Sequence, residues 1–254
     1  MEYFVSKSSI VRQIWGKADT VLFIFAGAAA EFALNKAVDW LYFTGKLPAD
    51  PLGRLFSTVT YARQIIYAEQ GDALKAIDRI NNIHQSVEHA RGSQIPDWAY
   101  RDVLFMLIDY SIRSFELLER KLTADEKEEV FDVFYRVGTC MGITGLPVDY
   151  TDWQAMRKVH LQLDLLQSDF TIHLFNQYKK HLGWVRYQLL KQVQLLLVPH
   201  LVREKLPVGD VLYVRPVLFL YKLSRHVKIN ILIKGALLPA AYKAQIRQLD
   251  EADG

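Results

Sequence analysis

Apolar residues recur along most of the chain at steps of three and four, which is the spacing of one face of an α-helix. The clearest such face consists of Ala73, Ile77, Ile80, His84 and Val87. Alternation typical of a β-strand occurs only over residues 228–233. One short strand has nothing to pair with, so we interpret this segment as a helix end or an extended tail.

Clusters of glycine and proline divide the helical pattern into segments. They lie at residues 45–53, 71, 92–96, 142–147 and 207–209. Two capping boxes, Thr123 with Glu126 and Thr151 with Gln154, predict helix starts near those threonines. The stretch between the two boxes is predicted to form one amphipathic helix.

The composition fits a single helical domain. The 254 residues are 51% apolar and contain no internal repeat of fixed period. A chain of this length can bury a large core without disulfide or metal staples. We therefore predict one all-α domain over residues 1–254, a helical bundle that resembles the globins in packing style and surrounds a cofactor pocket.

Charge and cysteine content limit the partners and the compartment. The net charge is +3 without a basic tail, which gives no indication of nucleic-acid binding. The single cysteine, Cys140, favours the reducing cytoplasm, and the first ten residues lack the pattern of a signal peptide. The longest apolar runs, residues 21–30 and 195–199, are shorter than the roughly 20 residues of a membrane-spanning helix. The oligomeric state has no signature in the sequence.

Common catalytic motifs are missing from the sequence. It has no GxSxG, no phosphate-binding glycine loop, no HExxH and no pair of ExxH motifs. Candidate chemistry therefore rests on seven histidines. They are His84, His89, His160, His173, His181, His200 and His226.

His84 lies within an apolar helix face, where an imidazole needs a hydrogen-bond partner or a metal ion. A neutral imidazole is a good iron ligand if a carbonyl or carboxylate holds its other nitrogen. Spacing alone leaves both interpretations open, with a hydrogen-bonded core histidine the commoner case. His89 is about 140° further round the same helix, so the two histidines cannot share one ion.

Two other histidines have an aspartate one helical turn away. These pairs, His160 with Asp164 and His173 with Asp169, could each form half of a metal site or an ordinary surface ion pair. No third ligand is evident for either pair, so the ion pair is the favoured interpretation. The histidines at 181, 200 and 226 stand beside Lys or Arg and are interpreted as surface or helix-end residues.

A polar group occurs in the segment GRLFST. Arg54, Ser57 and Thr58 are three and four residues apart, so one guanidinium and two hydroxyls share a helix face. One interpretation is an N-terminal capping arrangement with an exposed arginine. The other is the polar lining of a cofactor pocket, where the arginine pairs with a propionate or polarises oxygen.

The order of these segments resembles a known family. GRLFST is followed by a turn at Gly71, by His84 thirteen residues later in INNIHQSV, by a helix opening at Thr123, and by MGITGLP. This order is similar to that of the haem-dependent oxygenases that include latex-clearing protein (rubber oxygenase) and the oxygenase of mycophenolic acid biosynthesis. The resemblance covers about residues 19–160, with a looser match in the C-terminal helices.

The resemblance implies haem b, with His84 as the proximal iron ligand and with Arg54 and Thr58 on the distal side. Ser57 occupies a position where rubber oxygenases can offer a lysine to iron, which implies an open or water-filled sixth position. Glu31 lies in the apolar stretch FAGAAAEFAL, and the resemblance implies a distal glutamate that acts as a base. The alternative for Glu31 is a surface or inter-helix ion pair.

The family resemblance also implies a reaction, which is cleavage of a carbon–carbon double bond in an isoprenoid or other apolar alkene by dioxygen. A shared fold does not fix a reaction. Two alternatives therefore remain open: a haem protein that binds or senses a gas without turnover, and a helical interaction scaffold without haem.

Overall fold

The computed structural model describes residues 2–207, and within that range it contains eleven helices and no β-strand. The predicted all-α fold is confirmed. The helices are α1 (Ile10–Gly16), α2 (Ala18–Phe32), α3 (Val38–Phe43), α4 (Lys46–Ala49), α5 (Pro51–Tyr67), α6 (Gln70–Arg91), α7 (Asp97–Leu118), α8 (Ala124–Cys140), α9 (Tyr150–Leu163), α10 (Asp169–Leu197) and α11 (His200–Lys205). The globin-like packing style stays a prediction, and His226 and residues 228–233 lie outside the described residues.

The core is built on the packing of α2 along α7. Gly27 permits this close approach, because a β-carbon at that position would lie 2.3 Å from Cδ1 of Tyr110. Trp15, Phe105 and Tyr110 are fully buried around the same contact. Trp15 also donates a hydrogen bond from Nε1 to Ser111 Oγ at 3.1 Å, so its polar atom is satisfied in the core.

One of the two predicted capping boxes is confirmed. Thr123 and Glu126 cap α8, which is a single helix as expected. The box at Thr151 is wrong by two residues, because α9 is capped by Asp149, whose side chain accepts from the amide of Asp152 at 2.8 Å. Aspartate is at least as good an N-cap as threonine, so the earlier residue ends the loop and Thr151 lies inside the helix.

The glycine breaks are close to their predicted positions. Gly45 and Gly92 adopt left-handed φ angles of 68° and 70° at helix ends, whereas Gly71 lies inside the first turn of α6, just after the break. Gly183, with φ of 75°, puts a kink into α10 that the helical pattern does not predict. No helix within residues 2–207 is both long and apolar enough to cross a membrane.

Candidate functional site

The polar residues of GRLFST lie together at the start of α5, as predicted. The hydroxyls of Ser57 and Thr58 donate to the carbonyl of Arg54 at 2.8 and 3.2 Å, and Arg54 Nη1 donates to Ser57 Oγ at 3.2 Å. The helix itself is capped by Asp50, which accepts from the amide of Gly53 at 2.8 Å. Since Arg54 is half-buried, the interpretation as a capping group with an exposed arginine is wrong.

His84 lies on α6, which packs against α5, and its ring is half-buried. Nδ1 of the imidazole is buried and has no hydrogen-bond partner. The carbonyl or carboxylate expected to hold the ring is therefore not found at Nδ1. The ring of Tyr100 lies 5.1 Å away, centroid to centroid, and the Tyr100 hydroxyl donates to Glu88 Oε1 at 3.1 Å.

The electrostatic environment keeps His84 neutral. Burial lowers its pKa, the nearby charge of Arg54 lowers it further, and Glu88 opposes both, so that the pKa is about 4. The shift also shows that the charge of Arg54 acts on His84 across the α5–α6 contact. Burial lowers the pKa of Arg54 as well, which indicates an arginine partly removed from water.

A cavity of about 310 Å³ opens beside the Arg54 cluster, between α5 and α6. It is lined by Ser57, Thr60, Tyr61, Gln64 and Arg79. Its size is at the lower end of the roughly 300–1,000 Å³ typical of ligand pockets. Ser57 belongs to both the cavity wall and the polar cluster.

These residues fit a haem as a set of donors. A neutral imidazole with an unpartnered buried nitrogen is suited to binding iron, and a half-buried guanidinium is suited to pairing with a carboxylate such as a propionate. The residues that could hold the group are therefore His84, Arg54, Ser57 and Thr58.

Glu31 lies elsewhere in the core. Its two oxygens form a bidentate ion pair with Arg157, with the Nη2–Oε2 distance 2.6 Å, and Oε2 also accepts from the Tyr110 hydroxyl at 2.7 Å. Its partners are thus Arg157 and Tyr110 and not members of the Arg54 cluster. This geometry matches the inter-helix ion pair considered as the alternative, while the role as a distal base stays a prediction.

A second polar cluster joins α7 to the end of α9. His160 Nδ1 is hydrogen-bonded to Asp102 Oδ1 and lies 3.5 Å from Asp164 Oδ2, and Asn35 Nδ2 donates to Asp102 Oδ2 at 2.6 Å. Burial raises the pKa of Asp164, and the charge of Asp102 raises it further. The sequence analysis found the His160–Asp164 pair but missed Asp102, which lies 58 residues before His160 and meets it only in the folded chain.

The remaining described histidines have no metal-type arrangement. His173 interacts with the Tyr42 hydroxyl at 2.9 Å and with Gln177, and not with Asp169. His89 is exposed, and His200 forms an exposed pair with Glu204 at 3.6 Å. The surface interpretation therefore holds for His200, and the predicted pairing of His173 is wrong.

Comparison with known proteins decides the family. Residues 12–219 match the family described as ER-bound oxygenase mpaB/B′/Rubber oxygenase, catalytic domain. The chain belongs to this family. No curated protein and no solved structure gives a significant match to the chain.

Membership of the mpaB/rubber oxygenase family confirms the resemblance seen in the sequence and extends it beyond residues 19–160. It identifies the chain as carrying an oxygenase catalytic domain, and such an enzyme uses dioxygen and a small-molecule substrate. The matched region includes all eleven helices from Ile10 to Lys205 except the first two residues of α1. It therefore includes both the His84 site and the Asp102 cluster.

Proposed function

We propose that the chain is a cytoplasmic, haem b-dependent oxygenase that cleaves or oxidises an isoprenoid or other apolar alkene with dioxygen, and that His84 is its proximal iron ligand. One observation carries the proposal. The neutral imidazole of His84 has a buried nitrogen without a partner, and it lies within electrostatic reach of the half-buried Arg54. Family membership supplies the oxygenase class.

The side chains have distinct roles in this proposal. The haem, when bound, supplies the iron that activates dioxygen. His84 provides a neutral nitrogen ligand at physiological pH, since its pKa is about 4. Arg54 offers a fixed positive charge to an anionic group, and its contact with Ser57 Oγ holds the guanidinium in place.

The hydroxyl residues complete the distal side. Thr58 donates its proton to the Arg54 carbonyl, so its oxygen lone pairs remain able to accept a hydrogen bond from a ligand. Ser57 would not coordinate the iron of a bound haem as a lysine could, so it would leave room for dioxygen. Arg157 engages both oxygens of Glu31, so the role of Glu31 as a distal base stays a separate prediction.

Haem ligation is tested by replacing the proposed ligand. We expect His84→Ala to lose the Soret band when the protein is produced with added haem, because no other residue in the cluster is a comparable iron ligand. His89→Ala is the matched control, since His89 is on the same helix but exposed. A His84→Ala protein with full haem content and an unchanged spectrum would show that another residue binds the iron.

Turnover is tested separately from binding. We expect alkenes of the isoprenoid class to perturb the haem spectrum and to yield aldehyde or ketone fragments detected by mass spectrometry. Arg54→Gln and Thr58→Val should lower turnover by about 100-fold, the usual effect of removing one such polar contact, and lower haem content much less. Thr139→Val is the control, because the exposed Thr139 on α8 makes the same bond from its hydroxyl to the carbonyl four residues earlier, that of Tyr135, and does not line the cavity.

The two remaining hypotheses predict other results. Tight haem binding without consumption of any alkene in the panel would favour a gas-binding or sensing protein. A chain that takes up no haem would favour the helical scaffold.

A further inference from the structure

The Asp102–His160–Asp164 cluster has the composition and spacing of a metal site. One ligand atom from each residue can be chosen so that all three lie within 4.8 Å of one another. For a tetrahedral Zn²⁺ with bond lengths of about 2.0–2.1 Å, ligand atoms lie about 3.3 Å apart. His160 Nδ1 and Asp164 Oδ2 are already 3.5 Å apart. We propose that these three residues bind a divalent first-row transition-metal ion of the Zn²⁺ type, independently of the candidate haem site.

The charges of the cluster favour a bound cation. Within residues 2–207, the direct ion pairs of Asp102 and Asp164 are both with His160, so two carboxylates share a single imidazole. Lys36 and Arg101 act on Asp164 only from beyond ion-pair distance. Two other buried acids, Glu31 and Asp109, both ion-pair with Arg157, and Asp109 also pairs with Arg113 at 2.6 Å. Nearly buried carboxylates without a compensating cation are rare in proteins. A bound divalent ion would compensate both.

Asp102 is held in place by contacts with residues that are not proposed ligands. It is buried, and its Oδ2, the oxygen that is not bonded to His160, accepts a hydrogen bond from Asn35 Nδ2 at 2.6 Å. The amide of Ala37 donates to Asn35 Oδ1 at 2.8 Å, which fixes the orientation of the asparagine side chain. Such outer contacts orient metal-binding carboxylates and maintain ligand affinity.

The backbone on either side of the cluster is also tied together. An isolated β-bridge joins Asn35 to Leu165. The amide of Lys36 donates to the carbonyl of Asp164 at 2.9 Å, and the amide of Leu166 donates to the carbonyl of Leu34 at 2.7 Å. Asp164 therefore keeps a fixed position relative to Asn35, so little ordering is needed when an ion binds.

A cavity of about 590 Å³ lies beside the cluster, and His160 lines it together with Arg101, Met156 and Val159. Three protein ligands leave at least one coordination position for water or another ligand, as in zinc sites that bind exogenous groups. The donor set of one imidazole nitrogen and two carboxylate oxygens suits Zn²⁺, Mn²⁺ or Fe²⁺. Zn²⁺ is the probe of choice because it is redox-inactive.

The experiment uses the full chain without a histidine tag, stripped with a chelator and dialysed against Zn²⁺. Zinc and iron per chain are then measured by elemental analysis, and zinc affinity is measured by calorimetry. The test variant is Asp164→Asn, at the partly exposed edge of the cluster. The control is His200→Gln, which removes a histidine with an acid at the same i+4 spacing but with no third acid.

We expect one zinc per chain in the wild type and in His200→Gln, and an affinity at least about 10–100-fold lower in Asp164→Asn. Asn35→Ala should give a loss of about 10–100-fold while leaving all three ligands present. His84→Ala should lose iron but keep zinc, which separates this site from the haem proposal. A wild type that binds no zinc, or an Asp164→Asn protein that binds it equally well, overturns the inference.

Discussion

The protonation of His84 is governed by two neighbouring effects, burial and the positive charge of Arg54, and both favour the neutral ring. This has a consequence for stability. The unfolded chain takes up a proton at His84 near pH 6.5, whereas the folded chain does so only near pH 4. Between these values the unfolded state binds more protons, so acidification favours unfolding.

We predict that the haem-free protein loses stability through His84 as the pH falls from 6.5 to about 4, with no further contribution from this residue below that. His84→Gln should lack this part of the pH dependence. Arg54→Gln removes one cause of the low pKa of His84, so the loss of stability should be confined to a smaller pH range below 6.5. Urea unfolding midpoints measured across the range provide the check, and identical pH profiles for wild type and His84→Gln would contradict the prediction.

At the scale of the element, Arg157 connects three helices. It projects from α9 to Glu31 on α2, and it donates to Asp109 on α7 from Nε at 3.3 Å and from Nη2 at 3.1 Å. Burial alone would lower its pKa, but the charges of Glu31 and Asp109 outweigh burial and raise it. The guanidinium therefore stays charged and joins the three helices within the core.

We predict that Arg157→Met lowers the free energy of unfolding by about 3–5 kcal/mol, because it leaves Glu31 buried without its cation. Lys158→Met is the matched control, since Lys158 is the next residue and is exposed; its effect should stay within about 0.5 kcal/mol. Urea denaturation of both variants measures the difference. Equal free energies of unfolding for Arg157→Met and Lys158→Met would contradict the prediction, and would mean that Glu31 does not need its arginine partner.

Local sequence signals predict some elements well and others only approximately. Thr123 and Glu126 are adjacent on the helix they cap, so the pair can be found without the fold. The start of α9 was placed two residues late because Asp149 and Thr151 are both acceptable caps and the pattern does not rank them. The kink at Gly183 has no such signal, because a glycine within a helix is tolerated unless packing demands a bend.

At the scale of the whole molecule, ligand binding and folding are linked. A haem that binds only the folded chain adds about 2.7 kcal/mol of stability when its free concentration is 100 times the dissociation constant. For a domain of this size, that gain corresponds to a rise in the melting temperature of roughly 5–11 °C.

We predict that haem raises the melting temperature of the wild type by that amount and leaves His84→Ala unchanged. Zn²⁺ should give a separate increment that persists in His84→Ala, since the two candidate sites share no residues. Differential scanning fluorimetry in the four combinations of protein and ligand measures both effects. A haem-dependent rise in His84→Ala equal to that of the wild type would contradict the assignment of His84.

More residues of the candidate haem site than of the Asp102 cluster could be predicted from the sequence, for a physical reason. Arg54 and Thr58 share one helix and His84 lies on the next, so phasing and family order are enough to group them. Asp102, His160 and Asn35 come from three separate segments, and only tertiary packing brings them together. The same holds for Glu31. Its neighbours in sequence are apolar and give no sign of its partner Arg157, which lies 126 residues away in the chain.

The contact between Gly27 and Tyr110 connects side-chain size with charge. The ring of Tyr110 fills the space that a side chain at Gly27 would occupy. The hydroxyl of Tyr110 donates a hydrogen bond to Glu31, one turn further along α2. A larger residue at 27 displaces the ring and withdraws that hydrogen bond from the carboxylate. Among diverging members of the family, a bulkier residue at position 27 should therefore be accompanied by a smaller one at 110, and the two positions should evolve as a pair.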